Sequence, residues 1–300
     1  MDPQELCGAI LDPKEAAAFQ AALPIKSYGD LPRADATGQK RFLWEFERQV
    51  MGQDFWEIQT IGDCVSKGIQ RAAVMLWCTR IALNGFNESV PGVPASEAIY
   101  ALGRHEIGHD RLGTEDGLVV GWGLQGVMDY GILLRGVYGG IDLTTYSGQR
   151  AKIWGAPGAG LPNQLEPIAR QLPVKAAVPI KSWQDGINAM YNGEPLFGGS
   201  NHIPALRNGI YLGRDALGFI NLGGRGAHCT IFTGFDDNEG WWMYDNASWS
   251  EMPGPNPVNG PVRGGKVHRP LVEQMLGEGE WYALSDETSM PNQADQFMMI

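Results

Sequence analysis

The sequence predicts an α+β chain whose first half is helical and whose second half is mostly β, with a cleft between the two. Three observations predict this. Apolar residues recur at helical spacing over 39–51, 65–83 and 118–131. Ala227–Phe235 and Trp241–Asn246 read as two strands joined by the turn Asp236–Gly240. The 300 residues are enough for two halves that share one large core. Residues 1–56 are expected to be an N-terminal extension packing on the core. Residues 57–140 should form the helical half and residues 141–300 the β-rich half.

Composition removes several function classes. Lys and Arg number 23 against 34 Asp and Glu, a net charge of −11, which argues against nucleic acid or an anionic membrane as partner. No run of apolar residues is long enough to span a bilayer. Met1 is not followed by a basic-then-apolar leader, so a cytoplasmic location is expected. The four cysteines, Cys7, Cys64, Cys78 and Cys229, are too few for a disulfide framework and fit a reducing compartment. Gly155–Gly160 is a glycine-rich loop without the Gly-Lys-Ser/Thr ending that cradles phosphate, so no nucleotide cofactor is expected.

In chain order, a short helix is expected over Pro13–Ala22 and a second over Gln39–Met51. Gln59–Gly68 follows, and Cys64 in it stands after a Gly-Asp turn and before the apolar stripe Val65, Ile69, Ala72, Ala73, Leu76 and Ile81. A thiol at a helix N-terminus faces unpaired N–H groups and the positive end of the helix dipole, both of which favour thiolate. Gln59 supplies an amide donor five residues earlier. Cys78, further along the same helix, reads as a buried hydrophobe.

A helix from Leu118 to Gly131, a strand opening at Ile132, a helix over 182–191 and a short strand over Pro195–Gly198 come next. Alternation on the long strand puts His228, Thr230 and Phe232 on one face, and Asn246 ends the hairpin. A helix near 270–276, a strand near Trp281–Leu284 and a polar end complete the chain.

His105-Glu106-Ile107-Gly108-His109 matches the zinc motif that sets two imidazoles on one helix face with a glutamate as base. The extended motif needs a glycine and a further histidine where this chain has Leu112 and Glu115, and Gly103 and Gly113 crowd the flanks. An exposed polar turn is the expectation, with a zinc metallopeptidase as a minor alternative.

The order Gln–Cys at a helix start, His opening a hairpin, and Asn-x-Ser-Trp closing it resembles the papain-like cysteine peptidases, in particular divergent bacterial and phage-encoded members. His228 follows Cys64 by 164 residues, somewhat beyond the family's roughly 130–150, and Asn246 follows His228 by 18. Gly62-Asp63-Cys64-Val65-Ser66, His228–Phe235 and Trp242–Asn246 carry the likeness, and matching patches run from about residue 57 to 285. The resemblance implies Cys64 as nucleophile, His228 as base, Asn246 as orienter of the imidazole, Gln59 as oxyanion donor, and a peptide or protein substrate with no cofactor.

The sequence departs from the family at several points. Gln59 stands five rather than six residues before the cysteine, and Val65 replaces an aromatic residue. Ala247 is inserted before Ser248-Trp249, which leaves Asn246 and Ala247 competing for one register. The residues before Cys64 do not resemble the family's long inhibitory propeptide. These departures motivate an alternative in which the fold serves as a structural component of a phage particle, binding other virion proteins with weak or no catalysis.

Overall fold

The structure, a computed structural model, describes residues 6–285 apart from Arg33, Phe86, Gly209 and Ala247. The polar C-terminal end and the Ala247 register question lie outside the described residues. The first part of the chain holds β1 (Ala9–Ile10), α1 (Pro13–Ala22), β2 (Lys40–Phe42), α2 (Leu43–Met51), α3 (Cys64–Leu83) and α4 (Ser96–Ala101). It continues through β3 (Leu118–Val119), α5 (Val120–Tyr130), and the short hairpin β4 (Val137–Tyr138) and β5 (Ile141–Asp142).

The second part holds α6 (Gly148–Trp154), α7 (Glu166–Ala169), β6 (Ala176–Pro179), α8 (Trp183–Tyr191), β7 (Leu196–Ile203), β8 (Leu206–Arg207) and β9 (Ile210–Tyr211). It ends with β10 (Gly224–Asp236), β11 (Trp241–Asp245), β12 (Gly264–His268), α9 (Arg269–Glu278) and β13 (Glu280–Ser285).

One large antiparallel sheet runs β12-β11-β10-β7-β13-β6. After β7 stops pairing at Phe232, β2 joins β10 through Gly234–Asp236 as a seventh strand. The 39–51 helix expected from sequence therefore begins only at Leu43. Residues 40–42 are held extended by the ladder to β10 and by Phe42, which stacks on Trp44 and Trp241 at 4.7 and 5.6 Å. Cross-strand pairing with aromatic packing has overridden a helical spacing, as tertiary context does for short segments. Leu118–Val119 likewise is strand, paired in parallel with Ala9–Ile10. The strand expected at Ile132 is only an isolated bridge between Leu134 and Pro94.

The two halves meet along α3. Val65, Ile69 and Ala72 pack with Val120, Leu124 and Val127 of α5 and with Phe197, Cys229 and Ile231 of the sheet. A Cβ on Gly68 would stand 2.7 Å from the Phe197 ring, so glycine lets the helix approach the sheet closely. The polar side of α3 is buried as well. Arg71 donates to Glu47 of α2, with Nη2 2.7 Å from Oε2, and to Asp245 of β11 at 2.8 and 3.0 Å. Those three side chains are 0–3% exposed. Among the described residues, no helix is long and apolar enough to cross a membrane.

Arg71→Met strands two carboxylates in the interior, so it should cost about 3–5 kcal/mol of unfolding free energy. Urea unfolding checks this, and a loss under about 1 kcal/mol would mean that the clamp does not hold the halves together.

Candidate active site

Cys64 is the first residue of α3 and is preceded by Asp63 at the cap position. His228 lies on β10 just past an irregularity in its pairing with β7, and it pairs with Ser200. Asn246 directly follows β11, whose register against β10 places Asp245 opposite Ile231. The structure brings Cys64, His228 and Asn246 together, with Gln59 close by.

The His228 ring nitrogen Nε2 is 3.0 Å from Asn246 Oδ1, which fits an Nε2–H donor and leaves Nδ1 as the ring's other pole. Ser248 Oγ donates to the same amide oxygen at 3.1 Å, fixing which way the Asn246 amide points. Trp249 lies over the imidazole, with ring centroids 4.2 Å apart, and shields the His–Asn bond from water. Nδ1 is buried with no hydrogen-bond partner among the described residues, and the ring acts electrostatically on Cys64.

The electrostatics of Cys64 follow from these neighbours. Burial alone would push its thiol up. Interaction with the Cys229 thiol and the charge of His228 outweigh that burial and hold the thiol well below the ordinary cysteine value. Cys78, on the same helix without such partners, is pushed up to about 12 by burial. Cys229 is also pushed well up, first by burial and then by Cys64.

Gln59 is tied to the loop beyond Asn246 through its backbone N–H, which donates to Ser248 O at 2.9 Å. Its Nε2 donates to Ile61 O at 2.9 Å and to Leu6 O at 2.8 Å. A carbonyl of this same chain therefore occupies the amide expected to serve as oxyanion donor.

Leu6 belongs to a segment that crosses the site. Leu6 clusters with Ile203 and Trp249 of the β-rich half, and Gly8 O accepts from Leu118 N at 2.8 Å on the helical half. Leu11 Cδ2 and Cys229 Sγ each lie 3.0 Å from where a Gly199 Cβ would stand. Under this cover Cys64 is 0%, His228 1%, Gln59 1% and Asn246 3% exposed, so the cleft is closed. Beyond Leu11 a groove of about 460 Å³ continues between α1, Asn201 and Glu280.

The residues before Cys64 do not resemble the family's long inhibitory propeptide, and the covering position of residues 6–11 was not read from the sequence. The available signal was Gly8: a Cβ there would fall 1.8 Å from Gly62 O, so only glycine permits the crossing. Asp63 was also passed over. It is fully buried, accepts from the Tyr146 hydroxyl at 2.9 Å, and is pushed up to about 7, chiefly by burial.

The zinc alternative fares differently. Leu102–Ile107 is a π-helical turn, and His109 and Asp110 take positive φ of 49° and 60°. His105 and His109 therefore do not share a helical face. His105 Nδ1 is instead 2.8 Å from Asp110 Oδ1. Among the described residues no group of three His, Cys, Asp or Glu side chains is gathered to hold a metal ion.

Gly8→Val should lift the covering segment, and alkylation of Cys64 by iodoacetamide should then be faster than in the native chain. An unchanged rate would show that residues 6–11 do not limit access. Asp63 stabilises the fold fully below about pH 4, and that contribution is lost as pH rises from its unfolded value of 3.8 through about 7. Asp63→Asn should therefore flatten the fall in unfolding free energy across that window. A native-like fall in the variant, read by urea unfolding at a series of pH values, would contradict the assignment.

No family model matches the sequence, and no curated protein does. Solved structures do match. Xylellain, a cysteine protease from Xylella fastidiosa, superposes with a TM-score of 0.54 at 16% identity, over 94% of this chain and 96% of that one. Digestive procathepsin L2 proteinase from the larval midgut of Tenebrio molitor gives a TM-score of 0.55 at 13% identity, over 95% of this chain and 81% of that one. These likenesses run along nearly the whole chain, and the chain has the papain-like fold, with helices and an open antiparallel sheet.

Proposed function

We propose that this protein is a thiol-dependent peptidase or amidase, latent while residues 6–11 cover its site. The observation that carries the reading is Cys64 at a helix N-terminus, held toward thiolate against an imidazole whose far nitrogen bonds Asn246. Xylellain, described as a cysteine protease, supports the same reading by fold.

In the proposed reaction the Cys64 sulfur attacks the carbonyl carbon of a peptide or amide bond. The oxygen takes up negative charge and is received by Gln59 Nε2 and the backbone N–H of Cys64. His228, protonated as the partner of the thiolate, gives its Nδ1 proton to the departing amine as the C–N bond breaks. That leaves an acyl group on sulfur. Water then attacks the thioester while His228 takes its proton, and the acid product leaves with the thiolate restored. Asn246 keeps the imidazole in the tautomer and orientation that both steps need. Before any of this, Leu6 O must leave Gln59 so that a substrate carbonyl can replace it.

The complete burial of Cys64 also fits a second reading, in which the fold is kept for assembly, as in a phage particle, without turnover. Reactivity separates the two. Peptidase chemistry requires Cys64→Ala to abolish turnover of a peptide substrate, and Gln59→Ala to lower kcat by roughly 10²–10³. With the Gly8→Val chain, Cys64 should also react with iodoacetamide faster than an ordinary cysteine near neutral pH. Reaction no faster than a free thiol, with turnover indifferent to Cys64→Ala, would overturn the reading.

A further inference from the structure

Cys229 lies against the nucleophile, yet the proposed reaction gives it no part. We propose that Cys64 and Cys229 form a reversible disulfide that inactivates the site under oxidising conditions. The switch acts on the sulfur that the peptidase reading makes the nucleophile, and to that extent rests on that reading.

The geometry begins with α3. Gly68 stands one helical turn beyond Cys64 on the same face, and a Cβ on Gly68 would lie 3.6 Å from Cys229 Cβ. Cys229 Sγ lies 3.0 Å from the position of a Gly199 Cβ, a site also lined by Leu11 and Val120. Both cysteines sit in one packed cluster, 0% and 1% exposed, and each thiol acts on the titration of the other. The two side chains come from different halves of the fold, α3 and β10, so a bond between them also fixes the cleft.

The chemistry needs a hydroperoxide as oxidant. The Cys64 thiolate attacks the peroxide, an S–O bond forms, the O–O bond breaks, and the departing hydroxide or alkoxide is protonated to water or an alcohol. Cys229 sulfur then attacks the sulfenic sulfur. The S–S bond forms as S–O breaks, and the Cys229 proton leaves with that oxygen as water. Two electrons pass from the pair of thiols to the peroxide, and a dithiol reverses the change. A thiolate without a resolving partner continues instead to sulfinic acid, which dithiols do not reverse. Both sulfurs lie beneath residues 6–11, so oxidant enters when that segment lifts.

The test treats the full chain with hydrogen peroxide, blocks remaining thiols with iodoacetamide, and maps the linked peptides by mass spectrometry. The expected result is a Cys64–Cys229 cross-linked peptide and loss of alkylatable Cys64, restored by dithiothreitol. Cys229→Ser, and independently Cys229→Ala, should abolish the cross-link and convert the same exposure into dithiol-resistant sulfinate at Cys64. If Cys64 goes to sulfinate equally in native and variant chains, or is alkylated in parallel samples yet never cross-links, the switch is wrong. The cross-link is read by mass, so it can fail while peptide turnover still depends on Cys64. It can also form in a chain that turns nothing over, which would sink the peptidase reading alone.

Discussion

The Arg71 guanidinium, shared between Glu47 and Asp245, is the interaction on which the arrangement of the site depends. Arg71 lies two turns into the helix that begins at Cys64, and Asp245 immediately precedes Asn246. One buried cation therefore couples the thiol end of the helix to the strand that delivers the amide. Neither carboxylate has solvent to fall back on, so the pairing is costly to break even though its net contribution to folding can be small. Gly68 acts in the same direction by letting the helix settle onto Phe197 and Cys229.

Closure of the site changes its electrostatics as well as its access. In a water-free cleft the attraction between a thiolate and an imidazolium is stronger than in solvent, while the cost of holding either charge alone is greater. The two cysteines of α3 display both sides of that balance. Cys78, where burial and the Glu47 charge outweigh the pull of Arg71, is pushed toward the neutral thiol. Cys64, equally buried, has His228 and Cys229 against it and goes the other way. The covering segment adds a steric element: Leu6 O engages Gln59 while the backbone of Gly8 is hydrogen-bonded to Leu118. On the proposed peptidase reading the site is preassembled, and it opens by displacing a short piece of chain rather than by moving Cys64, His228 or Asn246.

Much of this was legible in the sequence because it rests on local signals. The long periodic helix after Cys64, the alternating strand through His228 and the hairpin closing at Asn246 are all found where spacing put them. What was not legible is set by distant partners. Residues 40–42 look helical until β10 offers them a ladder, and Ala9–Ile10 carry no strand pattern until β3 lies alongside. Arg71 and Lys67 carry no signal of burial in the sequence, yet both are buried in ion pairs, Lys67 with Glu57 and Arg71 with Glu47 and the distant Asp245. The His105–His109 motif misleads for a related reason, since the spacing argument assumes a regular helix and the chain there makes a π turn followed by positive φ.

The proposed chemistry depends on the charge state of Cys64 in the folded chain. The ultraviolet absorbance of thiolate, taken as the difference between the native protein and Cys64→Ser across a pH series, reads that charge without requiring a reagent to enter the closed cleft. A thiolate signal that persists far below the ordinary cysteine range, and that shifts back up in His228→Ala, is the predicted result. A signal that appears only at the pH of an unperturbed or buried thiol, and that ignores His228→Ala, would contradict it.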